Sequence, residues 1–388
     1  MRILQVTAEI FPLLKTGGLA DIAGALPLAL MAAGQDVRAL LPGFPAIVAG
    51  VRHATTVADL DTPWGERVGL RLGSLHTEGA PDLPVYWIDA PGLYDRPGNP
   101  YEDAARHAYG DNHRRFALLG WAAARLAQGL DAHWQPEVVH AHDWHAALAP
   151  AYLAFGQPHG RPRVGSVFTV HNLAYQGLFE SRHFSELGLP PAAFSLDGLE
   201  YHGQLSFMKG GLVFADRITT VSPTYAREIQ TPEQGFGLDG LLRHRSGVLS
   251  GILNAVDDQV WNPATDHLLP ERFDLDRLGG KAGCKAFLQK ELGLARKADA
   301  PLFVVVSRLT EQKGLQLVLD GLGALLAQGG QLALLGSGDA PLEAAFRQRA
   351  EAAPKSVSVT LGYSEPLAHR LFGAGDVTLV PSRFEPCG

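Results

Sequence analysis

Cysteine is scarce in this sequence: Cys284 and Cys387 are the only two among 388 residues. Two thiols are too few for a disulfide framework, and their separation is unlike the short spacings that bind zinc. The scarcity excludes the small disulfide-rich secreted proteins and suits a reducing compartment. It predicts a cytoplasmic protein.

An excess of positive charge and a long apolar run are also missing. Lysine and arginine total 33 against 40 aspartates and glutamates, which gives a formal net charge of −7. No global basic field is therefore available to hold nucleic acid or an anionic membrane surface. No stretch of about 18 uninterrupted apolar residues could span a bilayer, and residues 1–6 lack the long apolar run of a signal peptide. The expected partners include neither nucleic acid nor membrane.

The composition that remains is that of a folded globular protein, with 46% hydrophobic and 19% charged residues. Short apolar, β-branched runs recur along the chain, each followed by a turn and a helical pattern. This alternation is typical of parallel strands covered by helices on both faces. In the first half the predicted strands are 3–6, 37–41, 138–141, 164–170 and 218–221. In the second half they are 302–306, 331–335, 356–361 and 377–380, with helices near 314–328, 341–353 and 365–373.

The sequence therefore predicts an α/β protein with two doubly wound, Rossmann-like domains, residues 1–255 and 256–388. The length supports two domains, since a single core stops growing at roughly 250–300 residues. The last predicted strand runs into residues 381–388 and no covering helix follows it. We therefore expect the second domain to be incomplete and the sequence to be truncated.

The first candidate site is residues 15–21, Lys-Thr-Gly-Gly-Leu-Ala-Asp, between the first strand and a helical pattern. Glycines let backbone amides approach an anion, a helix N-terminus favours negative charge, and Lys15 adds a full positive charge. The pattern matches neither the dinucleotide fingerprint nor a P-loop. A phosphate contact and a simple structural turn both remain open for it.

The second candidate is the run His140-Ala-His142-Asp143-Trp-His145 at the end of a strand. It resembles the histidine box of binuclear metallohydrolases, but the aspartate lies one place early and no clear downstream ligand set follows. In an open parallel sheet the strand ends line the ligand crevice. Asp143 is therefore expected to hydrogen-bond sugar hydroxyls, with no metal bound.

His171 follows the next strand in Thr-Val-His-Asn and would face the same crevice as Asp143. An imidazole there can donate to a sugar hydroxyl or take part in proton transfer. A structural role for this histidine is the alternative.

Arg308 and Lys313 lie directly after the first strand of the second domain, in Ser-Arg-Leu-Thr-Glu-Gln-Lys-Gly. At a strand-to-helix junction both side chains can reach a diphosphate and neutralise the charge that builds on it as a leaving group. Tyr363 and Glu385 also follow strands of that sheet, so they are expected in the same crevice. Tyr363 could stack on a base, and Glu385 could hold ribose or sugar hydroxyls.

Together these segments resemble the starch/glycogen synthase family of retaining glycosyltransferases. The resemblance covers essentially the whole chain, and its blocks occur in the family's order: 15–19, 142–145, 169–172, 222–229, 251–254, 307–314 and 381–388. It implies the GT-B fold, in which two Rossmann-like domains face a cleft. It also implies ADP-glucose as donor, glycogen or another α-1,4-glucan as acceptor, and neither a metal nor another cofactor.

The resemblance also implies roles for residues at matching positions. Lys15 and Gly18 would meet the phosphates and sugar of the donor, and Asp143, His171 and Asn254 would surround the reacting glucose. Arg308 and Lys313 would hold the diphosphate. Tyr363 would pack beside the adenine, and Glu385 with the backbone of Cys387 and Gly388 would hold the glucose. Lys285 matches a family lysine near the active cleft, while a second family glutamate would lie beyond Gly388.

Three other functions stay open at this stage. A GT-B transferase that uses UDP-glucose or another acceptor would share most of these motifs. A hydrolase built on His140, His142 and His145 would bind zinc and lose activity with a chelator. A non-catalytic fragment would bind glucan or nucleotide without turnover.

Overall fold

The computed structural model describes residues 1–77, 79–156 and 163–387. It divides into two compact units, Met1–Asn254 and Ala255–Pro386. Each unit contains a sheet of mostly or wholly parallel strands with helices on it, because each contributes several short apolar strands that alternate with helical segments.

The first unit is organised around a nine-stranded sheet with the order β12-β11-β7-β6-β1-β2-β5-β4-β3. Its strands are β1 (Arg2–Val6), β2 (Asp36–Pro42), β3 (Arg52–Asp61), β4 (Arg67–Leu75), β5 (Leu83–Asp89), β6 (Val138–His142), β7 (Gly165–Val170), β11 (Arg217–Thr220) and β12 (Leu249–Gly251). A separate antiparallel sheet has the order β8-β10-β9, formed by β8 (Leu178–Glu180), β9 (Glu200–Tyr201) and β10 (Gln204–Ser206).

One edge of the large sheet differs from the predicted all-parallel arrangement. The strand β4 pairs antiparallel with both β3 and β5, whereas β5 pairs parallel with β2. Most residues of β3 are exposed. An exposed edge strand carries no continuous apolar run, which is why the sequence pattern did not reveal it.

Helices cover the sheet of the first unit and fill its core. They are α1 (Gly18–Ala32), α2 (Pro45–Gly50), α3 (Pro91–Tyr94), α4 (Asn112–Ala127), α5 (Asp143–Ala146), α6 (Leu148–Gly156), α7 (Phe207–Phe214), α8 (Pro223–Glu228) and α9 (Asp239–His244). The helix α4 is buried along most of its length, and its Phe116 shares one apolar cluster with Leu4 of β1 and Phe168 of β7. A short 3₁₀ segment, Ser181–Glu186, follows β8.

The second unit has a four-stranded parallel sheet with the order β15-β14-β13-β16. Its elements are β13 (Leu302–Val306), β14 (Gln331–Gly336), β15 (Val357–Leu361), β16 (Val377–Thr378), α10 (Gly279–Glu291), α11 (Leu315–Ala327), α12 (Ala340–Ala352) and α13 (Glu365–Ala374). Val304 packs in one apolar cluster with Leu288 of α10, and Val305 packs in another with Phe346 of α12. Alternate strand residues thus bury opposite faces of the sheet, as a doubly wound fold requires.

None of the helices in the described residues combines the length and apolar character that a membrane crossing needs.

Candidate active site

In the first unit the predicted site residues follow strands that are neighbours in the sheet. Lys15 and Gly18 come after β1, Asp143 after β6, His171 after β7, and Asn254 after β12. These strands are parallel to one another, so their carboxyl ends share one edge. The edge of an open parallel sheet is where such folds bind ligands.

Asp143 is a buried carboxyl group at the junction of β6 and α5. Its oxygen accepts the backbone N–H of His171 at 2.7 Å and that of Asn172 at 3.3 Å. Its own backbone adopts φ 54°, a left-handed conformation that is uncommon outside glycine and clusters at functional sites. Burial raises the pKa of Asp143 to about 7. The two backbone hydrogen bonds lower this pKa and the charge of Glu9 raises it, but burial is the largest effect. This carboxyl group can therefore carry a proton near neutral pH.

His171 contacts a second imidazole, since its Nε2 lies 3.0 Å from Nδ1 of His142. The other nitrogen of His142 lies 2.6 Å from Oε1 of Gln5, a buried side chain on β1. Burial lowers the pKa of His171 to about 3 and that of His142 well below its usual value. Both rings are neutral at physiological pH, so they act through hydrogen bonds and not as cations.

The histidines of the metallohydrolase-like run have other partners. Nε2 of His140 lies 2.6 Å from the hydroxyl of Thr169, and the ring of His145 stacks on Tyr101 with 4.8 Å between centroids. Within the described residues, one group of side chains has ligand atoms close enough together to hold a metal ion. His140, His142 and His145 do not belong to that group. The local geometry gives no support to a binuclear metal centre there.

The loop after β1 is held by Glu9, to which none of the sequence motifs pointed. Its carboxylate is buried and accepts the backbone N–H and the hydroxyl of Thr16, both at 2.5 Å. The hydroxyl of Tyr101 donates to the same carboxylate. Lys15 forms an ion pair with Asp21 at 2.9 Å. An acidic residue shortly after an apolar strand was the available sequence signal for Glu9.

Tyr225 is another residue for which the sequence motifs predicted no role. Its buried hydroxyl accepts the backbone N–H of Leu173 at 3.0 Å, and α8 is capped by Ser222, which accepts the N–H of Tyr225 at 2.9 Å. The loop that carries His171 is therefore held by Asp143 on one side and by Tyr225 on the other.

In the second unit the predicted residues also follow neighbouring strands. Arg308 comes after β13, Tyr363 after β15 and Glu385 after β16. The loops after β13 and β14 are joined, because Leu309 donates its N–H to Ser337 at 2.9 Å and accepts that of Asp339 at 2.7 Å. Arg308 and Tyr363 are exposed, and Cys387 is half-buried. Gly388 lies outside the described residues.

Lys313 and Glu385 form an ion pair, and the hydroxyl of Ser382 donates to the same oxygen of Glu385 at 2.7 Å. Gly314 brings these loops together. Its φ of 64° is left-handed, and a Cβ on it would lie 2.0 Å from the carbonyl oxygen of Pro381. A cation and a carboxylate are thus held side by side at the carboxyl edge of this sheet.

Lys285 lies apart from the other predicted site residues of the second unit. Its Nζ donates to Asp376 at 2.6 Å and to the carbonyl of Ala298 at 2.9 Å. The same Asp376 oxygen accepts the N–H of Leu302, the first residue of β13. Lys285 therefore lies at the amino edge of the sheet, whereas Arg308 and Lys313 follow its carboxyl edge.

Comparison with known proteins agrees with this architecture. Residues 2–244 match the family model described as the starch synthase catalytic domain. The chain is 73% identical to a glycogen synthase of Variovorax paradoxus over its whole length and 79% of that relative. It is 62% identical to a glycogen synthase of Leptothrix cholodnii, again over its whole length and 80% of the relative. The solved catalytic domain of starch synthase IV from Arabidopsis thaliana, bound to ADP and acarbose, aligns with all of the chain and 79% of its own, with TM-score 0.88 and 32% identity.

Proposed function

Because this chain belongs to the starch and glycogen synthase family of glucosyltransferases, we propose that it transfers glucose from ADP-glucose to the non-reducing end of an α-1,4-glucan, with retention of configuration. The observation that carries the proposal is the placement of the family's polar motifs at the carboxyl edge of each sheet, where such folds bind ligands. The Arabidopsis protein bound to ADP and acarbose supports a nucleotide and a glucan-like sugar as ligands.

The diphosphate is assigned to Arg308 and Lys313 in the second unit. Both are cations on the loop after β13, and charge-assisted hydrogen bonds to phosphate are strong. Lys313 already faces a carboxylate, Glu385, which keeps its ammonium group in place before the donor binds. In this proposal Glu385 and the backbone of Cys387 and Gly388 hold the glucose.

The residues of the first unit are assigned to the phosphates of the donor and to the glucose that is transferred. Lys15 and Gly18 meet the phosphates and sugar of the donor. The space beside Gly18 is open, since no described atom lies within 4 Å of a Cβ placed on it. Asp143, His171 and Asn254 surround the reacting glucose. Neutral His171 donates a hydrogen bond to a sugar hydroxyl, and Asp143 keeps the backbone of His171 in place while it does so.

The proposed chemistry forms one bond and breaks another at the anomeric carbon. The 4-hydroxyl oxygen of the acceptor attacks that carbon, the bond to the phosphate oxygen breaks, and the hydroxyl proton passes to the departing ADP. Retention follows if the attack comes from the face that the phosphate leaves, with the phosphate oxygen accepting the proton. Arg308 and Lys313 stabilise the charge that develops on ADP.

The experiment that tests the function is a donor panel with glycogen as acceptor. We expect labelled glucose to pass from ADP-glucose to glycogen and ADP to be released in equal amount. Transfer from UDP-glucose alone would instead identify a related GT-B transferase. Binding of ADP or glucan without turnover of either donor would identify a non-catalytic chain.

We place this reaction in the cytoplasm. Both cysteines, Cys284 and Cys387, are free thiols. Free thiols are typical of a reducing compartment.

A further inference from the structure

Three side chains of the first unit form a cluster apart from the residues assigned to glucose transfer. His113 lies on α4, and His183 and Glu186 lie on the 3₁₀ segment after β8. Nε2 of His113 is 3.0 Å from one carboxylate oxygen of Glu186, and Nδ1 of His183 is 2.8 Å from the other. The two imidazole rings stack with 3.9 Å between centroids. Two elements distant in sequence thus meet through two imidazoles and one carboxylate.

The spacing of these ligand atoms suits a transition metal. One nitrogen or oxygen from each of the three residues can be chosen so that all lie within 4.8 Å of one another. Ligands about 2.0–2.1 Å from a tetrahedral zinc ion lie roughly 3.3 Å apart, so no pair of these atoms has to come closer by more than about 1.5 Å. Two histidines and one glutamate are also the ligand set of open zinc sites, in which a water takes the fourth position.

The charge of the cluster favours a cation. Glu186 contributes a carboxylate that faces both rings. A neutral imidazole has one ring nitrogen with a lone pair that a metal can take. Arg114 donates to Glu186 at 2.6 Å and lies 4.0 Å from Glu66, whose carboxylate offsets its charge.

Access to the cluster points the same way. The His183 and Glu186 side chains are 22% and 27% exposed, which leaves a route for an ion from solvent. His113 is almost fully buried, so it supplies the inner ligand of the cluster.

We propose that His113, His183 and Glu186 form a zinc-binding site that ties α4 to the segment Ser181–Glu186. Imidazole ligands favour zinc and its transition-metal neighbours over magnesium or calcium, which prefer oxygen. Bound zinc replaces the two histidine-to-glutamate hydrogen bonds with metal bonds and so joins the two elements. A water completes its coordination, and Arg114 keeps its hydrogen bond to Glu186. The site is independent of the proposed transferase reaction.

Zinc titration of the intact chain by calorimetry, after dialysis against a chelator, tests the site. We expect one Zn²⁺ per chain and a rise in the thermal unfolding midpoint when zinc is present. His183→Gln and Glu186→Gln each remove one ligand. They should weaken binding by more than the about 10- to 100-fold that loss of a second-shell partner costs.

His107→Gln is the matched control, because His107 is an exposed histidine 3.8 Å from a carboxylate, that of Asp103. It should bind zinc as the unmodified chain does. Thermal unfolding in chelator verifies that each variant is folded before its binding is scored. Zinc binding that survives unchanged in folded His183→Gln, or no saturable binding by the unmodified chain, would overturn the proposal.

Discussion

The carboxylate of Asp143 accepts the backbone N–H of His171 at 2.7 Å, and this bond joins the ends of two adjacent parallel strands. The next strand along the sheet contributes as well, because the hydroxyl of Thr220 donates to the carbonyl of Val170 at 2.7 Å. The position of His171 therefore depends on groups that are far away in sequence. This dependence can be tested by substitutions that leave His171 itself unchanged.

Asp143→Asn should change how stability depends on pH. The folded pKa of about 7 lies above the ordinary value of 3.8, so the folded state holds this proton more tightly than the unfolded chain. The contribution of Asp143 to stability is therefore fully present below pH 4 and is lost as pH rises towards 7 and beyond. Relative to Asp143→Asn, the unmodified chain should lose on the order of 4 kcal/mol between pH 4 and pH 8.

Urea denaturation of both proteins across that range measures the difference. The nearby histidines titrate in both proteins, so their contribution cancels. A difference in unfolding free energy that does not vary with pH would contradict the raised pKa of Asp143.

Tyr225→Phe should loosen the His171 loop. The substitution removes the oxygen that accepts the N–H of Leu173 and leaves a buried donor without a partner, at a cost of about 1–3 kcal/mol. We expect kcat to fall together with stability, because the loop no longer holds His171 in one position.

Tyr152→Phe provides the matched control for this effect. Tyr152 is also buried in the first unit, and its hydroxyl donates to the carbonyl of Leu187 at 2.5 Å. It should lower stability by a similar amount while kcat stays close to that of the unmodified chain. Equal effects of the two substitutions on kcat would show that Tyr225 has no specific role.

Lys313→Ala should reduce kcat by about 10²–10³-fold if its ammonium group stabilises charge on the departing ADP. Lys290→Ala, at an exposed position on α10, serves as the control and should leave kcat unchanged. Steady-state transfer from ADP-glucose to glycogen gives both values. A near-normal kcat for Lys313→Ala would remove this residue from the mechanism.

Substitutions of Lys285 and Asp376 can separate a structural role of that lysine from a contact with the donor. If Lys285 acts through its ion pair at the amino edge of the sheet, Lys285→Met and Asp376→Asn should both lower stability and leave the KM for ADP-glucose unchanged. If Lys285 contacts the donor, its substitution alone should raise KM. Thermal unfolding and KM measured on both variants distinguish the two outcomes.

The central parallel strands were predictable because they are buried on both faces and read as continuous apolar runs. Strand 302–306 is observed with its predicted bounds, and the prediction of an α/β fold is confirmed. The strands β3, β4 and β5 escaped prediction, because they follow one another without a helix between them and most of β3 is exposed. Glu9 and Tyr225 were missed for another reason: Glu9 contacts the hydroxyl of Tyr101 and Tyr225 contacts the N–H of Leu173, and no local pattern encodes bonds between residues so far apart in the sequence.

By itself the sequence determined the fold class, the family and the strand ends that carry polar side chains, because apolar periodicity and short motifs are local properties of the chain. Only the tertiary structure decided which of those side chains meet. In the structure Asp143 accepts a hydrogen bond from the backbone of His171, and Lys313 lies beside Glu385. Lys285 lies at the opposite edge of the sheet from Lys313. Sheet order and strand direction set these distances, and both arise from packing between segments that lie far apart in the sequence.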